Sequence, residues 1–218
     1  MTTKALVYIA CDHTVMDGML ELPDAALGVV LFAHGSGSSR FSPRNNYVAR
    51  MLHEANIGTL LLDLLTPDED ALPAHRFDIA LLTERLRSAA GWLGTQAATV
   101  DLPLGLFGAS TGAAAALRLA ADADLRVAAL VSRGGRPDLA GPEALRTVAA
   151  PTLLIVGGAV GVVVDLNRQA YAALGCVKNL AIVHGAGHLF EEPGTLEEVA
   201  RLAAGWFGGY FARAAGGW

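Results

Sequence analysis

Residues 102–122 read LPLGLFGASTGAAAALRLAAD, and the fold is decided there. A short apolar run, LPLGLFG, leads directly into Gly108-Ala109-Ser110-Thr111-Gly112 and then into an alanine-rich stretch of helical composition. The pattern predicts a strand, a sharp turn and a helix, with Ser110 at the apex and a glycine two residues to either side. Such a turn holds a serine in a strained conformation with its hydroxyl exposed above a sheet edge, where a nucleophile belongs. The helix start adds a partly positive field, and the Thr111 amide is placed to meet a developing oxyanion.

Outward from this segment, short apolar runs recur at 5–10, 28–33, 58–65, 126–132, 151–157 and 178–183. Near-continuous hydrophobic runs of this length suit strands covered on both faces. Helical candidates fall at 43–56, 77–94, 111–123, 141–149, 165–175 and 194–213. The alternation predicts an α/β fold, a mostly parallel sheet with helices on both faces. Residues 14–22 leave no room for a helix between two strands and read as antiparallel. TPDEDALPAHR, 66–76, reads as a surface loop. No segment is long enough for a folded cap, and 133–142 reads only as a loop, so one open-mouthed domain over 1–218 is expected.

Composition narrows the function. The 218 residues are 53% hydrophobic and 17% charged, which excludes disordered and fibrous classes. Sixteen basic against 21 acidic residues give a net charge of −5, too acidic for nucleic-acid or polybasic membrane attachment. Cys11 and Cys176 form neither a disulfide framework nor a zinc spacing, so the expected compartment is the reducing cytoplasm. The N-terminus lacks the charged and long apolar regions of a signal peptide, and no run reaches the length of a membrane span. No cofactor or metal is expected, and the oligomeric state is not legible.

Two further segments carry chemistry. FAHGSGSSR, 32–40, follows a strand, and in a doubly wound sheet it lies at the carboxyl ends beside the serine turn. The Ser36 amide is the natural second oxyanion donor. A phosphate-cradling reading of Gly35-x-Gly37 fails, because Arg40 stands where the third glycine would be. AIVHGAGHLFEEPGTLEEV, 181–199, brings His188 to the same edge as a general base near neutral pKa. His184, at the strand end, reads as structural.

With these residues the chain resembles the small, lidless dienelactone-hydrolase-like serine hydrolases of the α/β-hydrolase superfamily. HGSGSSRFSPRN, FGASTGAAAAL, VSRGGRPDLA, LLIVGG, DLNRQA and GAGHLFEEPG carry the similarity, from residue 28 to the last helix. The resemblance implies a cofactor-independent hydrolase of carboxylic esters or lactones. Some relatives are fused to phosphoribosyltransferase domains, a second domain not expected within these residues.

The resemblance also places the triad acid in a Gly-Gly-x-Asp loop after the seventh strand. Here the loop reads VGGAVGVVVDLNRQA, with Val160 where the carboxylate is expected. Asp165 is a substitute if the loop is rearranged, although as the N-cap of a helix starting there it has a simpler role. Alternatively Val160, natural or introduced, leaves a weakly active Ser–His dyad, the preferred reading. A silent binding protein is the third reading, and an acyltransferase or C–C hydrolase on the same scaffold is a further alternative. Arg40, Arg44 and Arg133 flank the expected mouth as contacts for a substrate carboxylate, or equally as loop-stabilising groups bonded to carbonyls or Asp138. Glu191 and Glu192 read as a favourable pair at a helix start.

Overall fold

The computed structural model describes residues 2–215; Met1 and residues 216–218 of the expected domain lie outside the described residues. The strands are β1 (Thr2–Cys11), β2 (Thr14–Pro23), β3 (Val29–Ala33), β4 (Gly58–Leu62), β5 (Leu104–Ala109), β6 (Ala129–Arg133), β7 (Thr152–Gly157) and β8 (Lys178–Val183). They form one sheet in the order β1-β2-β4-β3-β5-β6-β7-β8. β1 and β2 make an antiparallel hairpin, and β2 joins β4 antiparallel, while every pairing from β4 to β8 is parallel. Residues 14–22 are therefore antiparallel, as expected. The two-residue turn of this hairpin places Asp12 at φ 49°, a conformation that Asp tolerates better than most residues.

The helices are α1 (Pro43–Glu54), α2 (Pro67–Asp70), α3 (Pro73–Arg76), α4 (Ile79–Leu93), α5 (Thr111–Ala120), α6 (Pro142–Thr147), α7 (Gly161–Ala173) and α8 (Thr195–Ala215). One core layer packs α4, α5, α6 and α7 on one face of the sheet, through residues such as Leu86, Leu117, Leu145 and Ala170. The opposite layer packs α1 and α8, through Val48, Leu52, Val199, Phe207 and Phe211. The strands are buried on both faces from β3 through β7, which explains why their sequences are nearly continuous apolar runs. Ala113, Ala114, Ala115 and Ala116 are fully buried, so α5 lies directly against the sheet. Among the described residues no inserted cap covers the carboxyl ends of the strands, and no helix is long and apolar enough to cross a membrane.

Two local expectations fail. Residues 66–76 are not a plain loop but contain α2 and α3. Thr66 accepts from the Glu69 N–H while the Glu69 carboxylate accepts from the Thr66 N–H, a reciprocal cap legible in TPDE. Proline then starts each short helix, at Pro67 and Pro73, where a missing N–H costs nothing. The second failure is the start of α7, expected at residue 165 but found at Gly161. Three consecutive valines, 162–164, disfavour a helix intrinsically, yet burying Val164, Asn167 and Ala170 against the sheet overrides that weak preference.

Candidate active site

Ser110 sits between β5 and α5 with φ 50° and ψ −118°, a strained conformation for a residue with a side chain. The flanking glycines make it possible. A Cβ at Gly108 would run into the backbone of Ala113, and one at Gly112 into the carbonyl oxygens of Ala33 and His34. The apex is then clamped from the end of β6 and the loop that follows it: the Ser110 N–H donates to the Arg133 carbonyl, and the Arg136 N–H donates to the Ser110 carbonyl, both at 3.2 Å. Strain at this turn is thus held by steric necessity and backbone bonds together.

The loop after β3 is anchored by His34, a role the sequence did not disclose. Its Nε2 accepts from the Leu64 N–H at 3.0 Å, which leaves Nδ1–H to donate to the Gly35 carbonyl at 2.9 Å. Burial pushes its pKa below 6.5, so the imidazole that ties the loop to the end of β4 is neutral. The structure corrects the simple picture of Ser36. Its amide donates to Thr111 Oγ1 at 3.0 Å and is therefore not free in the resting site. The Thr111 N–H, on the first residue of α5, has no intrahelical acceptor.

His188 is half-buried in the loop after β8 and lines one cavity with Ser110, Ser36, Arg44, Arg133 and Leu189, of about 190 Å³. Among the described residues it makes no hydrogen bond to Ser110 Oγ, and apo sites commonly close that bond only on binding. Its Nδ1 is buried without a partner, facing Gly134, whose Cβ would lie 3.5 Å away. Burial first, then the charges of Arg133, Arg44 and Arg136, lower its pKa, so the ring is a neutral base at pH 7. The loop is strained at Phe190, buried with φ 56°. His184 is exposed and borders a separate groove with Asp165 and Arg168.

Among the described residues, neither the residue at the expected acid position nor Asp165 hydrogen-bonds to His188, whose Nδ1 has no partner. Val160 is the N-cap residue of α7 and makes no side-chain cap bond. Asp165 is neither the N-cap nor a partner of the histidine; it lies in the second turn of α7, exposed and paired to Arg168 at 3.2 Å. The earlier start of the helix carries it out of both roles.

The arginines separate into different kinds. Arg40 pairs its guanidinium with Asp63 and, at 3.2 Å, with Asp17, and it does not line the cavity shared by Ser110 and His188. Arg44 pairs with Glu191 at 3.0 Å. Arg136 takes Asp138 bidentately, at 2.9 and 2.7 Å. Arg133 is buried, and one of its nitrogens donates to Asn45 Oδ1 at 3.3 Å. Asn45 went unnoticed in the sequence, where the one clue is an amide on the apolar face of α1. The Glu192 carboxylate, three residues before α8, accepts from the Gly187 N–H at 3.0 Å and so also braces the His188 loop. Among the described residues no group of three His, Cys, Asp or Glu side chains is placed to hold a metal ion.

No protein-family model matches the chain. Two curated proteins from Mycobacterium tuberculosis strains, CDC 1551 / Oshkosh and ATCC 25618 / H37Rv, each named "Putative phosphoribosyl transferase", are 58% identical over 201 residues. The match takes in 92% of this chain but 45% of theirs, so the chain spans less than half the length of these relatives. Among solved structures, Est1E from Butyrivibrio proteoclasticus shares the fold at a TM-score of 0.79 and 14% identity, covering 95% of this chain and 99% of its own. A dienelactone hydrolase from Anabaena variabilis ATCC 29413 superposes at a TM-score of 0.92. Since 50% of the residues are identical to that enzyme, over 96% of this chain and 98% of the other, the chain belongs to the dienelactone-hydrolase family of α/β-hydrolases.

Proposed function

We propose that the chain is a serine hydrolase that cleaves carboxylic esters or lactones through an acyl-enzyme on Ser110. The observation that carries this reading is the strained Ser110 turn opening onto the same small cavity as His188. Ser110 Oγ attacks the acyl carbon while His188 takes its proton, and the histidine returns that proton to the departing alcohol. The Thr111 N–H is the standing oxyanion donor. Ser36 adds its own when the amide exchanges Thr111 Oγ1 for the oxyanion. The Mycobacterium proteins' transferase name describes chains more than twice as long and does not enter this reading. Two free cysteines suit a reducing cytoplasm as its place of action.

A fluorophosphonate probe tests the proposal. Labelling confined to Ser110, abolished in Ser110→Ala and slowed in His188→Ala, is the expected result. Full ester turnover by Ser110→Ala would overturn the mechanism.

A second reading, a binding protein without turnover, is favoured by one observation: Nδ1 of His188 has no orienting partner. An unlabelled Ser110 together with saturable binding of a lactone would establish it.

A further inference from the structure

β1 lies at one end of the sheet, and its outer edge is bare among the described residues. It runs for ten residues, TTKALVYIAC, paired to β2 in one unbroken register from Thr2↔Pro23 to Cys11↔Thr14. Long edge strands are usually blunted by a proline, a bulge, a covering loop or several charges, because their free N–H and C=O groups recruit another strand. β1 has no proline, no bulge in that register and a single charged residue, Lys4. The other edge strand, β8, is shorter, at six residues, and only Asn179 in it is exposed.

The pairing fixes which groups are free. A two-residue turn makes Cys11 and Thr14 a hydrogen-bonded pair, and such pairs recur at every second residue. Thr3, Ala5, Val7, Ile9 and Cys11 therefore bond inward to β2, while the N–H and C=O of Thr2, Lys4, Leu6, Tyr8 and Ala10 point outward. The same alternation holds one strand further in, where Asp17, in the β2 set turned toward β4, accepts from the Asp63 N–H at 2.9 Å. All five outward residues also have exposed side chains, including Leu6 at 48% and Tyr8 at 63%. The helical layer covers the opposite face of the strand, through Ile9 and Cys11.

We propose that this edge binds a second copy of the chain, β1 against β1 and antiparallel about a two-fold axis at Leu6, so that one sheet runs through both copies. Antiparallel pairing about such an axis lets the same edge serve both copies and closes the assembly at two. The axis at Leu6 sets Leu6 against Leu6, Lys4 against Tyr8 and Thr2 against Ala10 of the second copy, and uses every outward residue. Any other centre leaves at least one of them unpaired, and a centre at Lys4 sets two lysines face to face. The Lys4 ammonium already has Glu21 of its own chain at 2.6 Å, so an aromatic ring is a compatible neighbour for it across the interface. Pairing also covers the exposed apolar surface of Leu6 and Tyr8.

The topology sets where the two sites lie. β1 is antiparallel to β2 and β2 to β4, so β1 runs in the same direction as the parallel strands β3 to β8. Two copies joined antiparallel at β1 therefore direct their Ser110 turns to opposite ends of the continuous sheet. Neither copy adds a residue to the other's site, and association and ester cleavage are separable.

Sedimentation velocity across a dilution series tests this dimer. The wild type should sediment as a monomer–dimer equilibrium that moves toward dimer as concentration rises. Leu6→Pro removes only an outward N–H, which an edge strand tolerates, and should give a monomer with unchanged far-ultraviolet circular dichroism. Tyr8→Lys sets like charges opposite each other twice and should weaken association about tenfold or more. Leu6→Cys, made with Cys176→Ser, should form an interchain disulfide under mild oxidation, because hydrogen-bonded cross-strand pairs have Cα atoms about 5.5 Å apart, within disulfide reach. Ala5→Cys and Val7→Cys should not cross-link. A wild type that stays monomeric at every concentration would overturn the proposal, as would a dimer unmoved by Tyr8→Lys, which would place the interface elsewhere. Cross-linking through Ala5→Cys or Val7→Cys in preference to Leu6→Cys would overturn the register, and none of these results depends on the proline variant folding.

Discussion

The turn after β5 and the loop after β7 serve the same edge of the sheet but are built on different terms. At the first, Gly108 and Gly112 are required by backbone contacts, and the Ser110 amide and carbonyl are bonded to the end of β6 and the loop after it. At the second, Val160 stands where the resemblance expects an acid, and the helix that follows it forms regardless. A geometric element enforced by packing persists because losing it disturbs the fold. A lone carboxylate can be lost with the backbone intact, and the cost falls on the chemistry.

The sharpest way to break this comparison is Val160→Asp. If position 160 is the empty acid site, turnover of a neutral p-nitrophenyl ester should rise by up to about 10⁴. A gain below about tenfold would show that the position does not reach His188, since a working acid is worth far more. Should the new carboxylate instead cap α7, the melting temperature would rise without activity, because an Asp N-cap contributes about 1 kcal/mol.

Ser110→Ala should cost less than in a complete triad. In the subtilisin series loss of the serine costs about 2 × 10⁶ and loss of the acid alone about 3 × 10⁴, leaving roughly 10² to lose in a site already without its acid. The drop in kcat for a neutral ester checks this, and a fall of more than about 10⁵ would show that an acid is acting after all.

The pH profile sharpens the contrast further. His188 has its pKa lowered, so the acidic limb of kcat/KM for a neutral ester should lie below pH 6.5. Adding a carboxylate through Val160→Asp favours the imidazolium and should move that limb upward. An unmoved limb would place the new carboxylate out of reach of the ring.

The smallest effects are on stability. Arg40→Met leaves Asp63 short of a charged partner and should cost about 1–3 kcal/mol in urea unfolding. His34 adds a pH dependence of known sign. Its folded pKa lies below the unfolded value, so its contribution is present above pH 6.5 and declines as pH falls through 6.5 and below. His34→Gln should flatten that acid decline in thermal unfolding.

Much of this was legible in the chain because period and punctuation are local. Continuous apolar runs identify strands buried on two faces, and Gly-x-Ser-x-Gly between a strand and a helix marks the strained serine turn. The reciprocal cap in TPDE was equally local and went unread. Other features have no local signature. Arg40, Arg44 and Arg133 look alike in sequence, yet the fold gives Arg40 two carboxylates, gives Arg44 one, and buries Arg133 with none. Asp165 looked like a cap because Asp is a strong capping residue, and only the fold showed that the helix begins earlier, at Gly161.

By itself, then, the sequence determined the α/β architecture, the serine at its turn, the histidine after the last strand and a valine where the resemblance expects an acid. These follow from residue type and spacing along the chain. Tertiary structure decided which of these three arginines has no carboxylate partner among the described residues, that the Ser36 amide rests on Thr111, and that the charges acting on His188 are those of arginines. Those facts depend on which charges the fold brings within reach of one another and on how far it removes them from water, and neither is a property of any one segment.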